Sequence, residues 1–237
     1  MSPTLGYAVR MKTRFAALLG CFFVAGCGGP AVESISPPAT PIDKDHAVVV
    51  VQKPINVQHG TFVENQNAHS SRGLTEWFFH CYPEFLYNLS TRLSNHNIEA
   101  TIKITKVTLT ISCPVTIRIG ADPDKKTFEH ENGHLQIVKQ IYATADDVAK
   151  EACQPIIGKQ FIAEGVDVHE ATANAIDQAA RELCKNYTDR TVVLANELSK
   201  NYDEISQHGY SKIDVPRAIE LSEQKYKHTH EQQNTHH

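Results

Sequence analysis

No stretch of this 237-residue chain holds the roughly 20 consecutive apolar residues that a helix needs to cross a bilayer core of about 30 Å. The longest apolar run, Phe15 to Val24, has about half that length, which excludes a spanning anchor there. Lysine and arginine form no cluster, and with a formal net charge of −4 the chain offers no electrostatic footprint for a nucleic acid. No C-x-x-C pair occurs among the six cysteines, which argues against a tetra-cysteine metal site. Neither glycine nor proline interrupts residues 166–208, so most of that stretch can be one long helix.

What is present is led by His130-Glu131-Asn132-Gly133-His134, an H-E-x-x-H motif. On a helix, positions i and i+4 share a face, so His130 and His134 can both reach one zinc ion. Glu131 projects beside them, where it can take a proton from a metal-bound water. The context favours a helix. Asp122-Pro123-Asp124 is expected to supply an N-cap, a proline at the first helical position and an acid in the first turn. Ile137, Val138, Ile141, Ala145, Val148 and Ala152 then recur on the face of the histidines, with no glycine or proline from 135 to 154. The bland alternative is a surface helix that happens to carry two histidines.

The N-terminus reads as an export signal. Met11-Lys12-Thr13-Arg14 is a basic start, Phe15 to Val24 is its apolar core, and Val24-Ala25-Gly26-Cys27 resembles the lipobox of bacterial lipoproteins. Residues 1–26 are therefore expected to be a lipoprotein signal peptide whose natural start is Met11, with Cys27 lipidated. Gly28 after it makes the periplasmic face of the outer membrane the default destination in a Gram-negative cell. Export leaves Cys81, Cys113, Cys153 and Cys184, an even number that suggests two disulfides among three connectivities.

Residues 27–45, rich in proline, read as a flexible tether, and residues 46–226 as one domain. His46 to Val51 is an expected strand, residues 56–73 are ambiguous, and Leu74 to His80 fits a strand or a helical turn. Pro83 looks like the first residue of a helix carrying Phe85, Leu86, Leu89 and Leu93. Between Ile98 and Ile119 the apolar period is two, with a phase change at Thr105-Lys106 that calls for a bulge or turn, and with Pro114 breaking the strand or marking an edge. Val215 to Tyr226 is a last helix, and residues 227–237, with four histidines, a disordered tail. The fold class is α+β: a small antiparallel sheet preceding the H-E-x-x-H helix, which packs antiparallel against one long C-terminal helix.

Three segments together carry a resemblance: Thr108-Leu109-Thr110-Ile111-Ser112-Cys113, Phe128-Glu129-His130-Glu131-Asn132-Gly133-His134, and Tyr202-Asp203-Glu204-Ile205-Ser206-Gln207-His208-Gly209. Over residues 70–222 the chain resembles the bacterial domain of unknown function 922 family, exported proteins predicted to be zinc-dependent proteases. That family commonly shows H-E-x-G-H and, later, Tyr-Asp followed by His-Gly. Ile205-Ser206 stands where the family carries a threonine-containing segment. The resemblance implies a metallohydrolase and names no substrate.

Cys153 and Cys184 are expected to pair, as neighbours on antiparallel helices, leaving Cys81 to Cys113. That bridge then serves as a ruler. With 153 beside 184 and equal rise per residue in both helices, 134 falls near 203 and 130 near 207. His208 is thereby the expected third zinc ligand, with Asp203 as the alternative or as a partner behind a ligand imidazole. Glu170 falls at the far end and is excluded. Gly209 would end the helix and let His208 turn back. Tyr202 or Tyr210 is nominated to stabilise an oxyanion, and Gly133 to permit a close backbone approach. The expected function is a zinc-dependent peptidase or amide hydrolase with one zinc ion, a peptide or protein substrate in the cell envelope, and the lipid bilayer contacted through Cys27. The alternatives are a catalytically inactive envelope lipoprotein that binds protein, and one that binds or stores zinc.

Overall fold

The chain lays down two small sheets and then covers them with helices. The computed structural model describes residues 47–61, 73–120 and 124–234. In chain order the elements are β1 (Val48–Gln52), β2 (Asn56–Thr61), β3 (Gly73–Trp77), β4 (His80–Ser94), β5 (Asn97–Ser112), β6 (Pro114–Ile119), α1 (Lys125–Ala143), α2 (Ala145–Cys153), β7 (Gln160–Gly165), α3 (Val168–Ser206) and α4 (Val215–Asn234). The expected lipidation at Cys27, the signal peptide and the tether lie outside the described residues.

The α+β class holds, but the single antiparallel sheet does not. β4 and β5 form a long antiparallel hairpin, β1 pairs parallel with one half of β5, and β7 pairs antiparallel with the other. In the second sheet, of order β2-β6-β3, β2 is parallel and β3 antiparallel to β6. Both sheets are therefore mixed. The cause is topological: β1 and β2 succeed each other just as β5 and β6 do, and run alongside them in the same direction. A period-two pattern reports which face is buried, not which distant strand lies alongside.

The phase change in β5 is a bulge. Leu86 pairs with Lys106 and Tyr87 with Ile104, which leaves Thr105 as the extra residue, and its hydroxyl donates to the Leu86 carbonyl at 3.0 Å. The bulge keeps one face inward throughout. Ala100, Ile102 and Ile104 before it, and Val107, Leu109, Ile111, Cys113, Val115 and Ile117 after it, are all fully buried. Each such large aliphatic side chain removed from water contributes on the order of 1.5–3 kcal/mol. Pro114, which lacks a donor, is the first residue of β6, where the strand restarts.

The helix expected after Pro83 is a strand. Residues 80–94 pair with 97–112 along their whole length, and Pro83 is tolerated because, among the described residues, β4 has a neighbour on one side only. Leu86, Leu89 and Leu93, the spacing that suggested a helix, are exposed. At the start of α1 the cap is Asp124 rather than Asp122. Its extended backbone sets its carboxylate to accept from the Thr127 N–H at 2.7 Å, and no acid falls in the first turn. The helix also breaks at Thr144, whose non-helical backbone separates α1 from α2. At the other end, α4 continues to Asn234, through most of the expected disordered tail.

The expected disulfides are corrected as well. Cys81 of β4 bonds Cys184 of α3 with the Cα atoms 5.6 Å apart, while Cys113 and Cys153 are buried thiols. α3 lies across the sheet, so Cys184 faces β4 rather than α2. The register that the wrong bridge suggested is nevertheless the one found, because α1 and α3 are antiparallel neighbours: His130 meets Ser206 and His134 meets Asp203.

Candidate metal centre

α1 carries His130, Glu131 and His134 into the interior, where each is less than a tenth exposed. Asp203 arrives from the last turn of α3, and the three residues His130, His134 and Asp203 form a group able to hold a metal ion. The two Nε2 atoms are 3.3 Å apart, and Asp203 Oδ1 lies 3.1 Å from that of His130 and 3.0 Å from that of His134. Ligands bound to one ion at about 2.0–2.1 Å in a tetrahedron are about 3.3–3.4 Å apart, so the triangle is close to one face of such a site. A neutral imidazole pair plus one carboxylate is a donor set of the kind zinc takes, with a fourth position free.

Burial by itself would raise the Asp203 carboxyl, but hydrogen bonds from His130 and His134, with their charges, outweigh it and hold the group below the usual carboxylate range. An anionic Asp203 is therefore ready to ligate. Behind His130, Nδ1 lies 3.2 Å from Ser206 Oγ, so that with Nε2 given to a metal the Nδ1–H donates to the serine. His134 Nδ1 is buried and has no hydrogen-bond partner among the described residues, while its ring stacks on Trp77 at 26° with a centroid distance of 6.2 Å.

The third residue brought together with the two histidines is Asp203, and the expected third ligand His208 lies outside that group. Its side chain is 74% exposed, and its Nδ1 stands 3.6 Å from Asp203 Oδ1, outside the triad. α3 ends at Ser206, and Gln207, His208 and Gly209 all take positive φ, a costly conformation for the first two. The tight turn brings Asp203 forward and carries His208 to the rim. Gly209 makes the turn feasible, since a Cβ there would stand 3.1 Å from the His130 Cβ.

The tyrosines also separate. Tyr202 is buried, its ring lies within 12° of parallel to that of His130, and its hydroxyl donates to the His130 carbonyl at 3.3 Å. Burial, then Asp203 and Glu131, raise its pKa, so it stays a neutral phenol committed to the helix backbone. This is packing against the metal helix rather than an oxyanion site. Gly133 permits it, because a Cβ at that position would collide with the Tyr202 hydroxyl. Tyr210 is 65% exposed beyond the turn, and no side-chain contact joins it to the triad among the described residues.

Two residues at the site had no signal tied to it in the sequence. Thr75 of β3 donates to Glu131 Oε2 at 2.6 Å, and Gly73 lies under the same carboxylate. Gly73, Thr75 and Trp77 alternate along one strand, which is readable, but nothing local links that strand to a helix more than fifty residues later. No family model, curated protein or solved structure matches this chain, so its chemistry is read from these side chains alone.

Proposed function

We propose that this protein is a zinc-dependent hydrolase of amide bonds, a peptidase acting on peptide or protein substrates in the bacterial cell envelope. The observation that carries the reading is the buried triangle of His130 Nε2, His134 Nε2 and Asp203 Oδ1, with Glu131 adjoining it in the same helical turn. Zinc held by three protein groups supplies a bound water that is acidic near neutral pH. The chain's own groups do the rest. His130 and His134 orient the site, Asp203 adds the negative charge, and Glu131 takes the proton of the attacking water and returns it to the leaving amine. Val24-Ala25-Gly26-Cys27 supports a lipid anchor at the envelope.

Glu131 discriminates this reading from a purely metal-binding one, which has no need of a carboxylate there. Zinc-loaded wild type is expected to cleave fluorescein-labelled casein, and Glu131→Gln to keep its zinc while losing at least about a hundredfold in rate. Equal turnover by the two proteins at full metal occupancy would reject Glu131 as the general base, and no cleavage by either would reject the enzyme. One observation favours a second reading, a metal-stabilised domain that binds a protein partner: Glu131 is only 5% exposed and its carboxylate is already bonded to Thr75. That reading expects full zinc occupancy with no cleavage by either protein.

A further inference from the structure

We infer that Thr75 is a positioning residue for Glu131, an assignment that rests on the hydrolase reading above. Side chains two apart on a strand share a face, and the face of β3 that carries residues 73, 75 and 77 is the one turned to α1. All three residues meet the H-E-x-x-H motif: Gly73 and Thr75 meet Glu131, and Trp77 meets His134. Thr75 and Glu131 are 7% and 5% exposed. The Thr75 hydroxyl donates to Glu131 Oε2 at 2.6 Å and also lies 3.2 Å from the Glu131 carbonyl oxygen, so one hydroxyl references both the side chain and the backbone of the same residue.

The chemistry explains why this matters. A glutamate has three side-chain torsions, and a proton-accepting oxygen must keep one direction through the reaction. Thr75 occupies Oε2, and among the described residues no hydrogen bond is made to Oε1, which keeps that oxygen available to accept a proton in the proposed reaction. Gly73 completes the cradle, since a Cβ there would fall 2.5 Å from Oε1 and push the carboxylate aside. A displacement of about 1 Å at a reacting group costs on the order of a hundredfold in rate.

The test uses the full zinc-loaded chain with fluorescein-labelled casein as probe. Thr75→Val keeps the threonine shape and loses the donor. It is expected to lower kcat about tenfold to a hundredfold with KM within about threefold, and Thr75→Ser to recover to within about threefold of wild type. Zinc content, and the visible spectrum of the cobalt-substituted protein, stay as in wild type because no ligand moves. In a Glu131→Gln background Thr75→Val adds no further loss, the signature of a residue that acts through Glu131. Gly73→Ala, which displaces the carboxylate through Oε1, gives a second route to the same loss at retained zinc if Thr75→Val does not fold. Wild-type kcat in Thr75→Val or, should that variant not fold, in Gly73→Ala, an additive loss in the Glu131→Gln background, or lost zinc would each overturn the assignment alone. Absence of cleavage by zinc-loaded wild type would overturn the hydrolase reading, and the positioning role with it.

Discussion

Asp203 makes three approaches through one oxygen: Oδ1 lies 3.1 Å from His130 Nε2, 3.0 Å from His134 Nε2 and 3.6 Å from His208 Nδ1. The first two are buried partners and the third is a rim residue, so the consequences of removing them differ. Asp203→Ala is expected to weaken zinc binding by more than about a hundredfold, beyond what loss of an outer partner commonly does, and His208→Ala by less than about tenfold. Competition with a chromophoric chelator measures both, and the reverse order would restore His208 as the ligand. The thiols give a second expectation at this scale. Burial pushes Cys113 up to about 12, with a smaller opposing effect from a hydrogen bond of the Phe78 backbone, and burial likewise pushes Cys153 up to about 12. A raised thiol pKa means the neutral form is favoured by folding. That contribution is fully present below the ordinary thiol pKa near 8.5 and is lost as pH rises from there toward 12. At pH 8 neither thiol should react with a disulfide reagent until denaturant is added; labelling of the native protein would show that one of them opens to solvent.

At the scale of elements, the contact between α1 and α3 rests on a missing side chain. Tyr202 of α3 fits against α1 at Gly133, stacks on His130 and bonds its carbonyl. A Gly→Ala change inside a helix ordinarily gains up to about 1 kcal/mol of helix propensity. Here the new Cβ would occupy the space of the Tyr202 hydroxyl and ring, and overpacking of this kind costs about 1–3 kcal/mol. Gly133→Ala should therefore lower the urea midpoint and also weaken zinc binding, because the displaced ring is the one that supports His130. A raised midpoint would mean that the helices separate without penalty. β3 is the corresponding element on the other side of the motif, holding Glu131 through Thr75 and leaving α1 clamped between a strand and a helix.

Over the whole molecule, the Cys81–Cys184 bridge closes a loop with a sequence separation of 103 that contains β5, β6, α1, α2 and β7. In the chain-entropy account a loop near that length restrains the unfolded chain by about 4–5 kcal/mol. A Cys81→Ser, Cys184→Ser double variant is expected to lose about 2–5 kcal/mol in reversible unfolding, without loss of the triad's three ligands. An unchanged stability would place the bridge among those whose effect native strain cancels. His130 and His134 lie inside the loop and Asp203 beyond it, so a metal ion at the triad ties α1 to α3 independently of the disulfide.

The sequence by itself determined what depends on neighbours a few residues away. His130, Glu131 and His134 share one turn of helix, so their convergence is a local matter, and the phase change at Thr105 likewise reports a bulge wherever the strand ends up. The long helix α3 was legible because nothing in 166–208 breaks it, and an equal rise per residue made its register on α1 predictable even from a bridge that does not form. Only the tertiary structure decided the remainder. Residues 80–94 carry a helical spacing of leucines, yet pairing with β5 makes them a strand. Cys184 faces β4 because α3 lies over the sheet. Asp203 rather than His208 enters the triad because the turn at residues 207–209 ends α3 just after one and swings the other outward. The first two depend on which distant segments meet and the third on how α3 ends beside α1, and the physical reason is shared: a periodic pattern specifies the buried face of an element, whereas its partner is chosen by packing that no local window contains.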